Sequence, residues 1–231
     1  MSPKSLCPDD RSGPRPAWSV EKFDDAGQVR ATPGLTTLCH IDQRSTAYAA
    51  LCRVASGLRA GPHAHAFAFL PPESFHMTVF DGVIDYRRDG ANWPSDMAAD
   101  ASIDQIAANW HTRLQGVHLP QQFEISVEAA VGGYTCPATG ADAAQERQLR
   151  ACRNQLADCL GVRRDNHDSY GFHITLAYQV QWLDLQSAQD VLALSDQLFA
   201  ENGADLQNIQ IGPVEFCRFE NMLHFEPLLM L

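Results

Sequence analysis

The sequence predicts an α+β fold of two similar lobes that face each other across a cleft. Three observations carry that expectation. Segments with the two-residue period of strands alternate with segments of helical period. Two strand-like stretches, Phe75-His76-Met77-Thr78-Val79 and Phe172-His173-Ile174-Thr175-Leu176, repeat one pattern, which marks a duplicated supersecondary unit with one motif strand per lobe. The chain has 231 residues, 45% of them hydrophobic, enough to bury a real core.

The elements follow in order. Residues 1–33 are rich in Pro, Gly and charge and read as an extended arm that docks where Trp18, Val20 and Phe23 find apolar surface; residues 34–231 form a single bilobal domain. Gly34 opens a strand over 35–41. Tyr48, Leu51, Cys52, Ala55 and Leu58 keep helical spacing, with Ser45 as N-cap and Gly61 beyond the end. A strand near 67–70 precedes Pro71-Pro72 and the first motif strand. After Gly82, the stretch holding Tyr86-Arg87-Arg88 and Trp93-Pro94 is a long loop. Ile103, Ile106, Ala107, Trp110 and Leu114 make one stripe of a helix over 102–115. Residues 122–131 alternate as a strand, and Gly132-Gly133 marks a turn or bulge. A helix over 143–160 buries Leu149, Cys152, Leu156, Cys159 and Leu160 and stops at Gly161. The second motif strand spans 170–180, an amphipathic helix 185–201, and 209–219 with 222–229 reads as a hairpin turning near Glu220-Asn221.

Charge and cysteines exclude several function classes. A formal net charge of −11 repels a long polyanion along any extended contact, so the expected substrate is a small nucleotide or an RNA end. No apolar run approaches the roughly 18 residues that span a bilayer, and the N-terminus lacks a signal-peptide core; the expectation is a soluble, cytoplasmic monomer with no membrane partner. Seven scattered cysteines without a Cys-x-x-Cys pair argue against a disulfide framework and a zinc ribbon.

The chemistry resides in the motif pair. Successive strand residues point to opposite faces, so His76 and Thr78 share one face, His173 and Thr175 share another, and the intervening apolar residues form a hydrophobic wall. An imidazole of ordinary pKa near 6.5 carries or accepts a proton at neutrality. Two at one reacting centre divide the work into base and acid, while threonine hydroxyls hold phosphate oxygens as charge builds on them. Such a centre needs no metal and no cofactor.

Each competing feature has a plainer reading. His167-Asp168-Ser169 also fits His-x-Ser, but it lies in a polar run with no strand around it. His63-Ala64-His65 lacks a carboxylate or cysteine companion nearby and reads as a loop or strand-edge feature rather than a metal-ligand pair. His40 is read as a buried structural histidine. Arg87 and Arg88 are read as solvated loop residues rather than anion guides. Strand parity puts Tyr178 opposite His173, in the core, and gives Phe80 the parity of the cleft.

The pair His76-Met77-Thr78-Val79 and His173-Ile174-Thr175-Leu176 resembles the two His-x-Thr-x signatures of the 2H phosphoesterase superfamily, which includes the LigT-like RNA 2′,3′-cyclic phosphodiesterases. The flanking text Ala68-Phe69-Leu70-Pro71-Pro72 and Ala177-Tyr178-Gln179 is similar to an uncharacterised branch of that superfamily. So is the early segment from Lys22-Phe23-Asp24 through Val29-Arg30 to Pro33-Gly34. The resemblance implies a bilobal α+β fold with pseudo-two-fold symmetry, two lobes of antiparallel sheet with flanking helices around a central cleft. It implies catalytic His76 and His173, phosphate-binding Thr78 and Thr175, and metal-independent hydrolysis of a cyclic phosphate. By analogy His76 is the acid and His173 the base. The alternatives are hydrolysis of another phosphodiester, such as an ADP-ribose cyclic phosphate or a 2′,5′-linked oligonucleotide, or a non-catalytic nucleotide-binding module.

Overall fold

The computed structural model describes residues 6–7, 15–131 and 135–231. Its elements are α1 (Ala17–Val20), β1 (Gly34–His40), α2 (Thr46–Arg59), β2 (Phe67–Phe69), β3 (His76–Ile84), α3 (Ile103–Leu114), β4 (Phe123–Val127), β5 (Thr135–Gly140), α4 (Ala143–Leu160), β6 (His173–Thr175), β7 (Ala177–Gln179), α5 (Leu185–Asn202), β8 (Ile209–Ile211), β9 (Glu215–Asn221) and β10 (His224–Met230). The predicted Gly132-Gly133 turn, and residues 1–5 and 8–14 of the predicted arm, lie outside the described residues.

The architecture is α+β and bilobal, built on one curled antiparallel sheet in the order β10-β9-β1-β3-β6-β5-β4-β8. Each half contributes four strands, and the motif strands β3 and β6 are the innermost pair. They join at a single register position, Met77 opposite Ile174. Both side chains are fully buried, each worth about 1.5–3 kcal/mol of apolar burial. Helix α4 packs on β3, β4 and β5, and α3 packs on β1 and α4, so helices cover the wall side of the motif strands.

Local chemistry sets the helix ends. Ser45 accepts from the Tyr48 amide at 3.0 Å, and Ser102 with Gln105 forms a reciprocal capping box, each cap worth about 1 kcal/mol. Gly161 closes α4 in the left-handed region at φ 70°, where a Cβ is disfavoured.

The structure corrects the strand assignments in four places. Thr135-Cys-Pro-Ala-Thr-Gly140 is a strand although Pro137 removes a donor, because its neighbours β4 and β6 pair with it on both sides. Ile209–Ile211 does not enter the hairpin but pairs with β4; the hairpin is β9 with β10. The second motif strand breaks at Leu176, and β7 leaves the large sheet to pair with β2, which resets its parity. Finally β3 bulges against β1, with Thr37 opposite Phe80 but Leu38 opposite Thr78. Val79 and Phe80 are therefore both buried and Asp81 faces the cleft.

A second irregularity in that ladder falls between Leu35 and Thr37. Gly82 permits it at φ 48°, with the Leu35 carbonyl oxygen where a Cβ would stand. Gly82→Ala is expected to lower the unfolding free energy by about 2 kcal/mol or more. Urea denaturation checks this, and an unchanged midpoint would show that the bulge relaxes freely.

Candidate active site

A cleft of about 340 Å³ opens on the polar face of the β3–β6 junction, and His76, Thr78, His173 and Thr175 all line it. With Met77 opposite Ile174, antiparallel register sets His76 across from Thr175 and Thr78 across from His173. The four predicted residues thus form one tetrad, related by a local two-fold about the Met77–Ile174 pair.

Both imidazoles are held in the same way. His76 Nδ1 is 2.7 Å from the Ser74 carbonyl oxygen, and His173 Nδ1 is 2.8 Å from that of Gly171. A carbonyl only accepts, so each Nδ1 carries the hydrogen and each Nε2 is left for the cleft. The supporting backbone follows from the residues before each strand. Pro72 starts a short 3-10 turn ending at Ser74, and Gly171 lies in the loop that leads into β6.

The two histidines differ in surroundings. The His76 ring contacts Phe225 at a centroid distance of 4.3 Å and His40 at 6.0 Å. Burial pulls His76 down to about 4; the Ser74 carbonyl opposes this, and the nearby His40 and His173 add to it. His173 has Tyr170 beside it at 6.0 Å. His40, directly across the ladder from His76, holds Glu215 with its Nδ1 at 2.8 Å, as a structural histidine would. His40, Glu215 and Cys217 also bring donor atoms within 4.8 Å of one another, an arrangement that the His40–Glu215 ion pair accounts for.

The ends of the cleft bring corrections. Tyr178 is not in the core; after the Leu176 break it lines the cleft, with Lys22 4.6 Å above its ring. Phe80 is not in the cleft; the bulge turns it into the core, 2% exposed. Arg87 lines the cleft, whereas Arg88 staples the following loop through Asp85, Ala99 and Ala101. The arm contributes as well, with Trp18 and Lys22 at the cleft wall. His167 is buried and bonded to Asn154 at 2.8 Å, outside any strand, and His63 pairs with Asp190.

Sequence reasoning missed Asp81, Arg153 and Arg164. Arg153 is 1% exposed and donates to the carbonyls of Val79 and His167 and to Asp81. Arg164 also pairs with Asp81. One signal was present: Arg153 stands four residues after Leu149 and three before Leu156, on the buried stripe of α4.

Cations outnumber carboxylates among the cleft residues, with Lys22, Arg87 and Arg164 against Glu21 and Asp81. In a chain of net charge −11 that local excess suits a small anion. Among the described residues no helix is long and apolar enough to cross a membrane.

A family model described as 2H-phosphodiest, domain of unknown function (DUF1868), matches residues 22–133, a span that holds the first motif strand. The crystal structure of a conserved protein of unknown function, ATU0111, from Agrobacterium tumefaciens is similar at 30% sequence identity and a TM-score of 0.93, covering 98% of this chain and 97% of that one. None of the curated proteins matches the chain.

Proposed function

Because the chain belongs to the family described as 2H-phosphodiesterase, domain of unknown function, we propose that it hydrolyses a cyclic phosphate in a small nucleotide or at an RNA end. The observation that carries this reading is the pair of imidazoles, each held through Nδ1 by a carbonyl two residues upstream. Each presents Nε2 to a cleft that also holds two threonine hydroxyls.

In the reaction one Nε2 takes a proton from water, and the water oxygen bonds to phosphorus. The bond from phosphorus to one ribose oxygen breaks, and the other histidine protonates that oxygen as it leaves. Thr78 and Thr175 donate hydrogen bonds to the non-bridging oxygens as their charge grows. The lowered His76 is neutral at pH 7 and suits the base, which leaves His173 as the acid. This reverses the assignment suggested by family analogy. A phosphate anion bound beside His76 raises its proton affinity again, so the base strengthens where it is used.

The test is turnover of a panel of nucleoside 2′,3′-cyclic phosphates in EDTA. The plot of kcat/KM against pH is expected to be bell-shaped, since base and acid must be in opposite states. On the acid side it rises as His76 loses its proton, near pH 4 rather than the usual histidine value of about 6.5. An acid limb well above that value would take the base role from His76. A plateau into strongly alkaline solution would remove histidine as the acid, and failure on every cyclic phosphate would leave only a binding cleft.

A further inference from the structure

We propose that the end of the cleft beyond Thr78 is a second anion subsite, built on Arg164, Arg153 and Asp81 with Arg87 at its mouth. The preferred substrate then carries a second phosphate group besides the cyclic one. The assignment of substrate rests on the phosphodiesterase reading; the subsite itself does not.

The Asp81 carboxylate is shared, one oxygen receiving Arg153 at 3.1 Å and the other receiving Arg164. Two guanidinium groups on one carboxylate leave one net positive charge, with the three side chains only 1%, 16% and 20% exposed. A single arginine would neutralise Asp81, and burying a further cation is costly unless something compensates it. Arg153 is compensated, by two carbonyls and by Tyr170 stacked 3.9 Å away. Arg164 is compensated less. It donates to Asp81 and to the Gly82 carbonyl, and its Nε has no hydrogen-bond partner among the described residues. Arg87 is exposed at the cleft and carries no ion pair among the described residues. Both guanidinium groups, of Arg164 and Arg87, line the cleft, where their charge favours a phosphate anion.

Position separates the subsite from the reacting centre. Asp81 is three residues beyond Thr78 on β3, about 10 Å at strand rise, toward the end where Tyr86 and Arg87 follow. The opposite end, past Thr175, holds Tyr178 and Lys22. A nucleotide fixed at the tetrad by its cyclic phosphate therefore meets Tyr178 with Lys22 stacked on it on one side and the arginine cluster around Asp81 on the other.

Equilibrium binding of adenosine 2′-monophosphate and adenosine 2′,5′-bisphosphate to the full chain, by titration calorimetry at fixed ionic strength, tests this. The bisphosphate is expected to bind about tenfold tighter or more. Arg164→Gln should bring that ratio close to one, and Arg87→Ala should reduce it about threefold. Arg44→Ala, which removes the same charge at an exposed site outside the cleft, should preserve it. If Arg164→Gln does not fold, the Arg87→Ala ratio decides. A wild-type ratio near one, or a ratio kept in both cleft variants, overturns the subsite. Because the readout is binding, a protein with this preference that opens no cyclic phosphate would keep the subsite and lose the phosphodiesterase reading. One that opens cyclic phosphates regardless of a second phosphate would do the reverse.

Discussion

His76→Ala and His173→Ala each reduce kcat/KM for a cyclic phosphate by about 10²–10⁴, the usual worth of a positioned general acid or base. The double variant should lose little more than the worse single one, because acid and base act in one step. Folding should survive both changes, since each ring is half-buried and its fixed anchor is one hydrogen bond to a carbonyl, worth about 1 kcal/mol. Steady-state kinetics with a thermal melt of each variant supplies the test. A substrate with a good leaving group, such as a p-nitrophenyl phosphodiester, separates the roles. It needs no proton on departure, so it should restore much of the rate to His173→Ala and none to His76→Ala. Either single variant keeping a tenth of the activity or more would refute two-histidine catalysis, and rescue of His76→Ala instead would exchange the roles.

Arg153→Met lowers the stability of the fold by about 3 kcal/mol. The arginine stands between α4 and the bulge in β3, where its fork takes up the carbonyls of Val79 and His167 as well as Asp81. Methionine leaves both carbonyls without that donor, while Arg164 still holds the carboxylate, which keeps the cost at the lower end for a broken buried pair. For a chain of this size the melting temperature should fall by about 6–10 °C. Arg153→Lys should recover little, because an ammonium cannot serve three acceptors in the guanidinium plane. A melting temperature within about 1 °C of wild type would mean that the network contributes nothing net.

Much of this site was readable from the chain before folding. Alternation along 75–79 and 172–176 is a local property of extended backbone, so the shared faces of His76 with Thr78 and His173 with Thr175 followed directly. The helices were readable as well, because period and caps are both local; Ser45, Ser102 and Gly161 stand at the ends expected of them. The errors occurred where a partner strand changes the local rule. Phe80 lost cleft parity to the bulge that β1 imposes on β3, and Asp81 gained it. Tyr178 entered the cleft because β2 draws β7 away from β6. Pro137 concealed a strand that two neighbours stabilise. Arg153 was passed over, although its place on the apolar stripe of α4 marked it as buried.

The residues alone dictate the content of the site: two histidines, two threonines, and the apolar wall behind them. Those follow from side-chain chemistry and from a two-residue period that needs no partner. How they meet is set by the folded chain. Opposing Met77 to Ile174 makes one tetrad of two separate motifs, and the rings packed on His76 rather than its place in the chain depress its proton affinity. Pairing and burial are set between segments far apart in the chain, by backbone hydrogen bonds and exclusion of water. No window of sequence contains both partners.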